Sequence, residues 1–401
     1  MNIEFPESPT GIHPPTAALT RILQFSTVEN PISGRPYSEA FILGIGGGLD
    51  TGCILYQFKH LPHPLLMLGF RNQWNNTREF LQSASDRLFL NAAFSEYEDP
   101  GQAQAALQDL LETGKEPIVW VDKAFIPYHL IPDNLKGFQD YQVAVYARDG
   151  RLWRLYLDDL SSQPMEIREK EFTAARGSLT QNNYLVMVVG KVEKPAVREL
   201  RGNILAAIRD CAVKLTRPHM TIGNCSLDKW SQKLIDRNDR QGWPQIFMGQ
   251  KGLYPVLRTI YESIRLDGTE GFALRKLYSD FLHEAAGYLG NPELNAIAGQ
   301  YLQLANRWAT LAESTLSSDI PAFKEVKALL NDQYRAYRTG DLSQMKKANY
   351  DLAKLEKMVE AEFPLNAGQT FQLYKNLAGQ VKLIAELEMS AAHRLQDIAG
   401  K

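Results

Sequence analysis

The sequence predicts an α+β domain over residues 1–192 followed by an all-α domain over residues 193–401. Helical and strand-like segments alternate up to about residue 190, and strand-like segments disappear from about residue 195 onward. The length of 401 residues is typical of roughly two or three domains. The hydrophobic fraction of 44% and the charged fraction of 22% are those of an ordinary globular protein.

In the N-terminal half, short apolar patterns bounded by Pro and Gly define the elements. Apolar residues at helical spacing predict helices over residues 16–24, 52–58, 77–88 and 99–113. Runs of β-branched, aromatic and other apolar residues predict strands over residues 64–70, 117–122, 141–146, 152–157 and 184–189. Asp149-Gly150 predicts a hairpin turn between two of these strands. We therefore expect a largely antiparallel sheet packed with helices.

The C-terminal half has helical periodicity throughout. The predicted helices cover residues 197–216, 226–237, 252–265, 271–289, 292–317, 321–339, 343–361 and 369–398. The last two have two alternative packings, as a hairpin within one chain or against a second subunit. A homodimer is therefore one of the expected partners.

The charge balance excludes several classes of function. Lys and Arg number 44 and Asp and Glu number 46, for a formal net charge of −2. This balance lacks the basic surface of a nucleic-acid binder and the polybasic segment of a membrane anchor, so we expect neither partner. The N-terminus resembles no targeting segment, and the odd count of three cysteines favours a reducing cytoplasm over a secreted disulfide framework.

Local motifs do not reveal a cofactor or metal. The cluster Gly44-Ile45-Gly46-Gly47-Gly48-Leu49 lacks the third glycine of a dinucleotide fingerprint and the Gly-Lys-Ser/Thr of a phosphate-binding loop. A tight turn before a helix is the simpler interpretation. His60 and His63 are three residues apart, but the prolines at 62 and 64 prevent a regular helix. We therefore predict no metal and no cofactor.

Longer stretches of the sequence resemble a known family. The N-terminal half carries GIH at 11–13, SEAF at 38–41, LGIGGGL at 43–49, GKEPIVWVD at 114–122, IPY at 126–128 and Asp158. The C-terminal half carries GTEGF at 268–272, Arg275, Tyr278, FL at 281–282 and EAA at 284–286, with Trp230 and Trp308 in the expected contexts. Over about residues 11–315 the chain resembles the papain-like family named after the butirosin biosynthesis acyltransferase.

The resemblance implies a papain-like N-terminal domain, an associated helical domain and a role in antibiotic or other secondary-metabolite biosynthesis. The family chemistry moves an acyl chain from an acyl carrier protein thioester to an amine of a small molecule. It needs a cysteine thiolate at a helix N-terminus, a histidine base on a facing strand and a carboxylate that orients the histidine. An acyl carrier protein and a small-molecule substrate are therefore the implied partners.

This chain departs from the family at two of these three positions. The family cysteine follows the histidine directly, whereas Pro14 follows His13 here, and the nearest cysteine is Cys53. The family base appears a few residues after Phe138, where this chain has Tyr141. The orienting carboxylate is retained as Asp158, with Asp159 as the alternative.

Three hypotheses follow. The first is an acyltransferase with a rewired site, in which Thr16 or Cys53 is the nucleophile and His13 the base. The second is a non-catalytic relative that binds an acyl carrier, a small molecule or an active partner enzyme. The third is a condensation or cyclisation that needs only acid and base groups, with His13, Glu39, Arg71, Tyr141 and Asp158 as candidates.

Each candidate residue also has a structural alternative. Glu39 can bind backbone N–H groups at a turn or cap the first helix. His13 can be a packing and capping residue, and Tyr141 an ordinary strand aromatic. Asp158 can end a strand, and Arg71 can pair with Glu39 as a buried structural bridge. Cys53 can be a buried inert thiol.

Overall fold

The chain folds as an α+β structure with a helical C-terminal region, as the sequence predicts. The computed structural model describes residues 11–57, 63–129, 131, 136–150, 154–158, 160–219 and 221–400. Contacts divide the chain into two units, each made of three segments. Unit 1 comprises Met1–Ile42, Ser85–Ala196 and Asp332–Asn349, and unit 2 comprises Leu43–Ala84, Val197–Asn331 and Tyr350–Lys401.

The units are interleaved along the sequence, so the chain passes between them more than once. One of these passages, after Ala196, lies close to the predicted domain boundary at 192/193. That boundary stays a prediction, because contacts do not report which segments fold independently.

The helices and strands have the following bounds. The helices are α1 (Pro14–Phe25), α2 (Glu39–Ile45), α3 (Thr77–Leu88), α4 (Pro100–Glu112), α5 (Glu169–Arg176), α6 (Val197–Thr216), α7 (Cys225–Ile235), α8 (Trp243–Ile246), α9 (Leu253–Arg265), α10 (Arg275–Leu289), α11 (Glu293–Thr315), α12 (Pro321–Thr339), α13 (Leu342–Ala361) and α14 (Ala367–Ala399). The strands are β1 (Leu49–Tyr56), β2 (Leu65–Arg71), β3 (Ala93–Ser95), β4 (Ile118–Asp122), β5 (Asp140–Asp149), β6 (Arg154–Asp158), β7 (Met165–Arg168) and β8 (Val186–Val188).

Most predicted elements are confirmed, but the helix predicted over residues 52–58 is wrong. This segment belongs to β1, which pairs antiparallel with β2 so that Cys53 lies opposite Leu68. The pairing supplies the backbone hydrogen bonds that a short, β-branched segment would otherwise make within a helix. The short elements α2, β3, β7, α5 and α8 have no counterpart among the predictions.

Unit 1 is built around a six-stranded antiparallel sheet with the order β3-β8-β4-β5-β6-β7. Strand β4 lies inside this sheet and is buried along its whole length, in keeping with its β-branched and aromatic sequence. Helix α1 packs on the sheet at β5, and α5 packs at β4. The core beneath α1 contains Val143 of β5 and Tyr337 of α12, with Ala17 of α1 packed against it. This packing positions the N-terminal end of α1 beside the sheet.

Unit 2 combines the β1–β2 hairpin with a helical bundle. Helix α14 is its longest element and begins with a capping box between Asn366 and Gln369. It packs mainly against α6, α7 and α11. A hairpin between the last two helices, one of the two alternatives from the sequence, is therefore not the main packing of α14. Within the described part of the chain, no helix combines the length and hydropathy that crossing a bilayer requires.

Candidate functional site

The first functional segment is the N-terminal end of α1. Pro14 is the first residue of this helix, where a proline is favoured because its N–H would be unpaired and its φ is already helical. His13 occupies the N-cap position in an extended conformation, but its side chain forms no capping hydrogen bond. The position that the resemblance assigns to the cysteine nucleophile is thus a helix N-terminus, and a proline fills it.

Glu39 of α2 holds the residues that precede α1. The backbone N–H of His13 donates to Oε1 of Glu39 at 2.7 Å, and that of Ile12 donates to Oε2 at 2.9 Å. A side chain distant in sequence therefore binds the N–H groups of the N-cap residue and of the residue before it. This is the capping alternative that the sequence analysis gives for Glu39.

Thr16 completes the same cluster. Its Oγ1 donates to Oε1 of Glu39 at 2.8 Å and lies 3.0 Å from the carbonyl oxygen of His13 and 3.2 Å from Nδ1 of that residue. The side chain of Thr16 is fully buried. Because a hydroxyl has one proton, Thr16 donates to one of these oxygens at a time.

Burial raises the pKa of the Glu39 carboxyl above its usual value, although the hydrogen bonds from His13, Thr16 and Ile12 and the charge of Arg338 act in the opposite direction. Arg338 is a residue of α12, and its guanidinium donates a hydrogen bond to the carbonyl oxygen of Gly11. Hydrogen bonds with two elements distant in sequence, α2 and α12, thus hold the N-terminal end of α1 in place.

Tyr141 lies at the start of β5, opposite Val121 of β4. Its hydroxyl oxygen is 3.0 Å from that of Tyr337, the residue before Arg338 in α12. The Nζ of Lys123 lies 5.1 Å from the centre of the Tyr141 ring, which is a cation–π distance. Tyr141 is therefore both a strand aromatic and part of a buried hydroxyl pair.

The structure also places a histidine beside Tyr141 that the sequence analysis did not single out. The ring centre of His129 lies 5.4 Å from that of Tyr141 and 5.0 Å from that of Tyr337. His129 is buried and follows the IPY segment directly. In the sequence, the one feature that could have pointed to His129 is its position directly after the IPY segment and shortly before β5. An imidazole thus lies near the position assigned to the base, but it comes from a different segment.

The remaining candidates are distributed over both units. Asp158 ends β6 and pairs with Ala144 of β5, three residues beyond Tyr141. Asp159 and His60 lie outside the described residues. Asp158 therefore belongs to the same sheet as Tyr141.

Arg71 and Cys53 lie in unit 2, whereas His13, Thr16, Glu39 and Tyr141 lie in unit 1. Arg71 is buried at the end of β2, where it donates to the carbonyl oxygen of Asn72 at 2.8 Å and to Oγ1 of Thr77 at 3.0 Å. Its guanidinium also lies over the ring of Phe80, 4.3 Å from the ring centre. These contacts describe a residue that fixes the end of a strand.

Burial also affects the cysteines of unit 2. It raises the pKa of the Cys53 thiol far above its usual value and that of Cys211 to about 12. A thiol with a raised pKa contains little thiolate at neutral pH, so neither residue has the character of a nucleophile.

The glycine cluster forms the turn between α2 and β1. Gly47 and Gly48 have positive φ values of 111° and 66°. A Cβ on Gly44 would lie 2.1 Å from the ring of Phe281, and one on Gly46 would lie 2.4 Å from the ring of Phe80. These requirements for positive φ and close packing account for the glycines, although the turn leads into a strand and not into the expected helix. Within the described residues, no group of three or more His, Cys, Asp and Glu side chains is arranged to hold a metal ion.

Comparison with protein families adds an independent finding. The sequence model of the family "Butirosin biosynthesis protein H, N-terminal" matches residues 13–159. Residues 13–159 of the chain are therefore similar to this family. The model of "Domain of unknown function (DUF4872)" matches residues 170–360. The predicted resemblance is confirmed, and the matched range ends 45 residues beyond the expected limit of 315. No curated protein matches the chain.

Proposed function

We propose that this protein binds an acyl group presented by an acyl carrier protein, in a papain-like unit 1 that has no cysteine nucleophile, and that it acts in antibiotic biosynthesis. The family supports a biosynthetic, acyltransferase-like role. The packing of α1 on the antiparallel sheet at β5 supports a papain-like arrangement, in which a helix N-terminus faces a strand.

One observation carries the non-catalytic part of the proposal. None of the three segments of unit 1 contains a cysteine, and Pro14 takes the first position of α1. Covalent acyl transfer needs a nucleophile that a nearby base activates and that the substrate can reach. Unit 1 can supply no thiolate.

Thr16 is a poor substitute for that thiolate. Its hydroxyl is fully buried and is engaged with Glu39, so it is shielded from an incoming acyl group. The hydrogen bonds of Thr16 and Glu39 instead hold the N-terminal end of α1. These contacts favour binding over a rewired acyltransferase site.

The experiment measures binding and turnover with the same reagents. The full-length protein is titrated with an acyl carrier protein carrying an acyl thioester, and product is sought after an amine acceptor is added. We expect binding without product. His13→Ala should weaken binding, because it removes the half-buried imidazole at the end of α1. The variant should still fold, because the backbone N–H of residue 13 still donates to Glu39. His393→Ala, an exposed position of α14, is the matched control and should bind as the wild type does. Failure of the thioester to bind would contradict the proposal.

A second candidate function is condensation or cyclisation by acid–base groups. It is favoured by the hydroxyl pair of Tyr141 and Tyr337 with His129 beside it, because these groups can donate and accept protons without a covalent intermediate. Product formation that His13→Ala or Asp158→Asn abolishes would support this function instead.

A further inference from the structure

One face of α13 combines exposed apolar side chains with lysines that form no ion pair with any residue that the structure describes. Tyr350, Lys354, Lys357 and Met358 follow at steps of four, three and one, which places them on one side of the helix. We call these four residues the α13 face. Tyr350 is 74% exposed and Met358 is 61% exposed.

The other side of the helix faces the protein interior. Leu352 and Val359 there are buried, and Glu356 binds Arg258 of α9. The buried side therefore accounts for the attachment of α13, and the α13 face is not needed for it. Tyr and Met are enriched in the centres of protein interfaces, and here both lie exposed on the same helix face.

The charges on the α13 face indicate what kind of partner it fits. Among the residues that the structure describes, no carboxylate pairs with Lys354 or Lys357. Asp351 lies at the edge of the face and is half-buried. An acidic surface would therefore gain favourable charge contacts here. In a symmetric contact between two copies, the same face would meet itself and bring lysines together.

We propose that the α13 face docks an acidic acyl carrier protein, with Tyr350 and Met358 as the apolar contact and Lys354 and Lys357 as the charge contact. This inference rests on the proposed function for the choice of a carrier protein. The α13 face belongs to unit 2, whereas the end of α1 belongs to unit 1. Docking that depends on exposed charges is screened by salt, so its affinity falls as ionic strength rises.

The test measures binding of a holo-acyl carrier protein without an acyl group to the full-length protein at low ionic strength. We expect Lys354→Glu with Lys357→Glu to weaken binding by about tenfold or more, since two attractive charges become repulsive. Tyr350→Ser with Met358→Ser should weaken it by a similar factor. The matched control is Lys251→Glu with Lys382→Glu, two exposed lysines elsewhere in unit 2 with the same change of net charge.

The outcomes separate this inference from the proposed function. If the control weakens carrier binding as much as the face variants do, the α13 face is not the docking surface. The same follows if neither face variant weakens binding. In both cases the wild-type protein still binds the carrier, so the proposed function is retained. A wild-type protein that does not bind the carrier overturns both the carrier as donor and the surface. Self-association in sedimentation that Tyr350→Ser with Met358→Ser abolishes assigns the face to a second copy and also overturns the inference.

Discussion

Each unit contains a shielded carboxylate, and the two accept hydrogen bonds from different kinds of donor. In unit 1, Glu39 accepts hydrogen bonds from two backbone N–H groups and the hydroxyl of Thr16, all of them neutral. In unit 2, Glu388 is fully buried and accepts from Nε of Arg275 at 2.7 Å and from Nε1 of Trp308 at 3.0 Å.

The different donors distinguish Glu388, which joins structural elements of unit 2, from Glu39, which lies at the candidate site in unit 1. The Arg275–Glu388 pair joins α10 to α14, and Arg275 also donates to Oγ1 of Thr51 in β1 at 3.0 Å. Glu39 joins α2 to the first turn of α1 and to the segment before it, and its charge is not matched by a direct ion pair among the described residues. A buried ion pair thus joins helices of unit 2, whereas the end of α1 is held by hydrogen bonds from neutral donors.

The largest expected effect is that of Glu388→Ala. It leaves the Arg275 guanidinium buried without a counter-charge, which typically lowers the free energy of unfolding by about 3–5 kcal/mol. Denaturant unfolding measures the loss. Glu386→Ala, an exposed position on the same helix, is the control and should change stability by less than about 0.5 kcal/mol.

Replacing both partners sharpens this comparison. Arg275→Met with Glu388→Leu removes both charges, and such replacements are often neutral or stabilising. We expect the double variant to be more stable than Glu388→Ala in the same unfolding experiment. A double variant as unstable as the single one would mean that packing, and not the buried charge, determines the loss.

Glu39→Gln is expected to have a smaller effect. The amide keeps one acceptor oxygen but presents its NH₂ to a backbone donor, so about 1–3 kcal/mol of unfolding free energy should be lost. Glu29→Gln, exposed in the segment after α1, is the control. A loss as large as that of Glu388→Ala would contradict the distinction between the two carboxylates.

The pH dependence of stability tests the same carboxyl. Because burial raises the folded pKa of Glu39 above its unfolded value near 4.5, the native state binds more protons between these two pKa values. The contribution of Glu39 to stability therefore falls as pH rises through this window. The difference in unfolding free energy between wild type and Glu39→Gln should show that slope, and a difference that is flat with pH would count against it.

Tyr141→Phe should have the smallest effect, a loss of about 0.5–1.5 kcal/mol, since it removes one hydrogen bond and leaves the Tyr337 hydroxyl. A double-mutant cycle with Tyr337→Phe measures the coupling between the two hydroxyls. Additive losses would mean that the hydroxyls do not act as a pair.

The predictions from sequence succeeded where the signal was local. The bounds of α6, α3 and α12 follow directly from apolar periodicity and from the Pro and Gly that delimit them. The segment of β1 was mistaken for a helix because its apolar residues suit both structures, and only the pairing with β2 decides between them.

The candidate site was predicted in part. His13, Thr16 and Glu39 do form one hydrogen-bonded cluster in unit 1. The contributions of Tyr337 and Arg338 had no sequence signal, because α12 lies some two hundred residues beyond β5 and meets the site only through tertiary packing. Arg71 and Cys53 had equally plausible local contexts, yet the fold places them in the other unit.

The central claim is that the position at the head of α1 cannot accept an acyl group, and intact-mass spectrometry tests it most directly. The full-length protein is incubated with an acyl carrier protein thioester and its mass is measured before and after. An unchanged mass at saturating thioester is the expected result. A mass increase equal to the acyl group, mapped by peptide analysis to unit 1, would contradict the account.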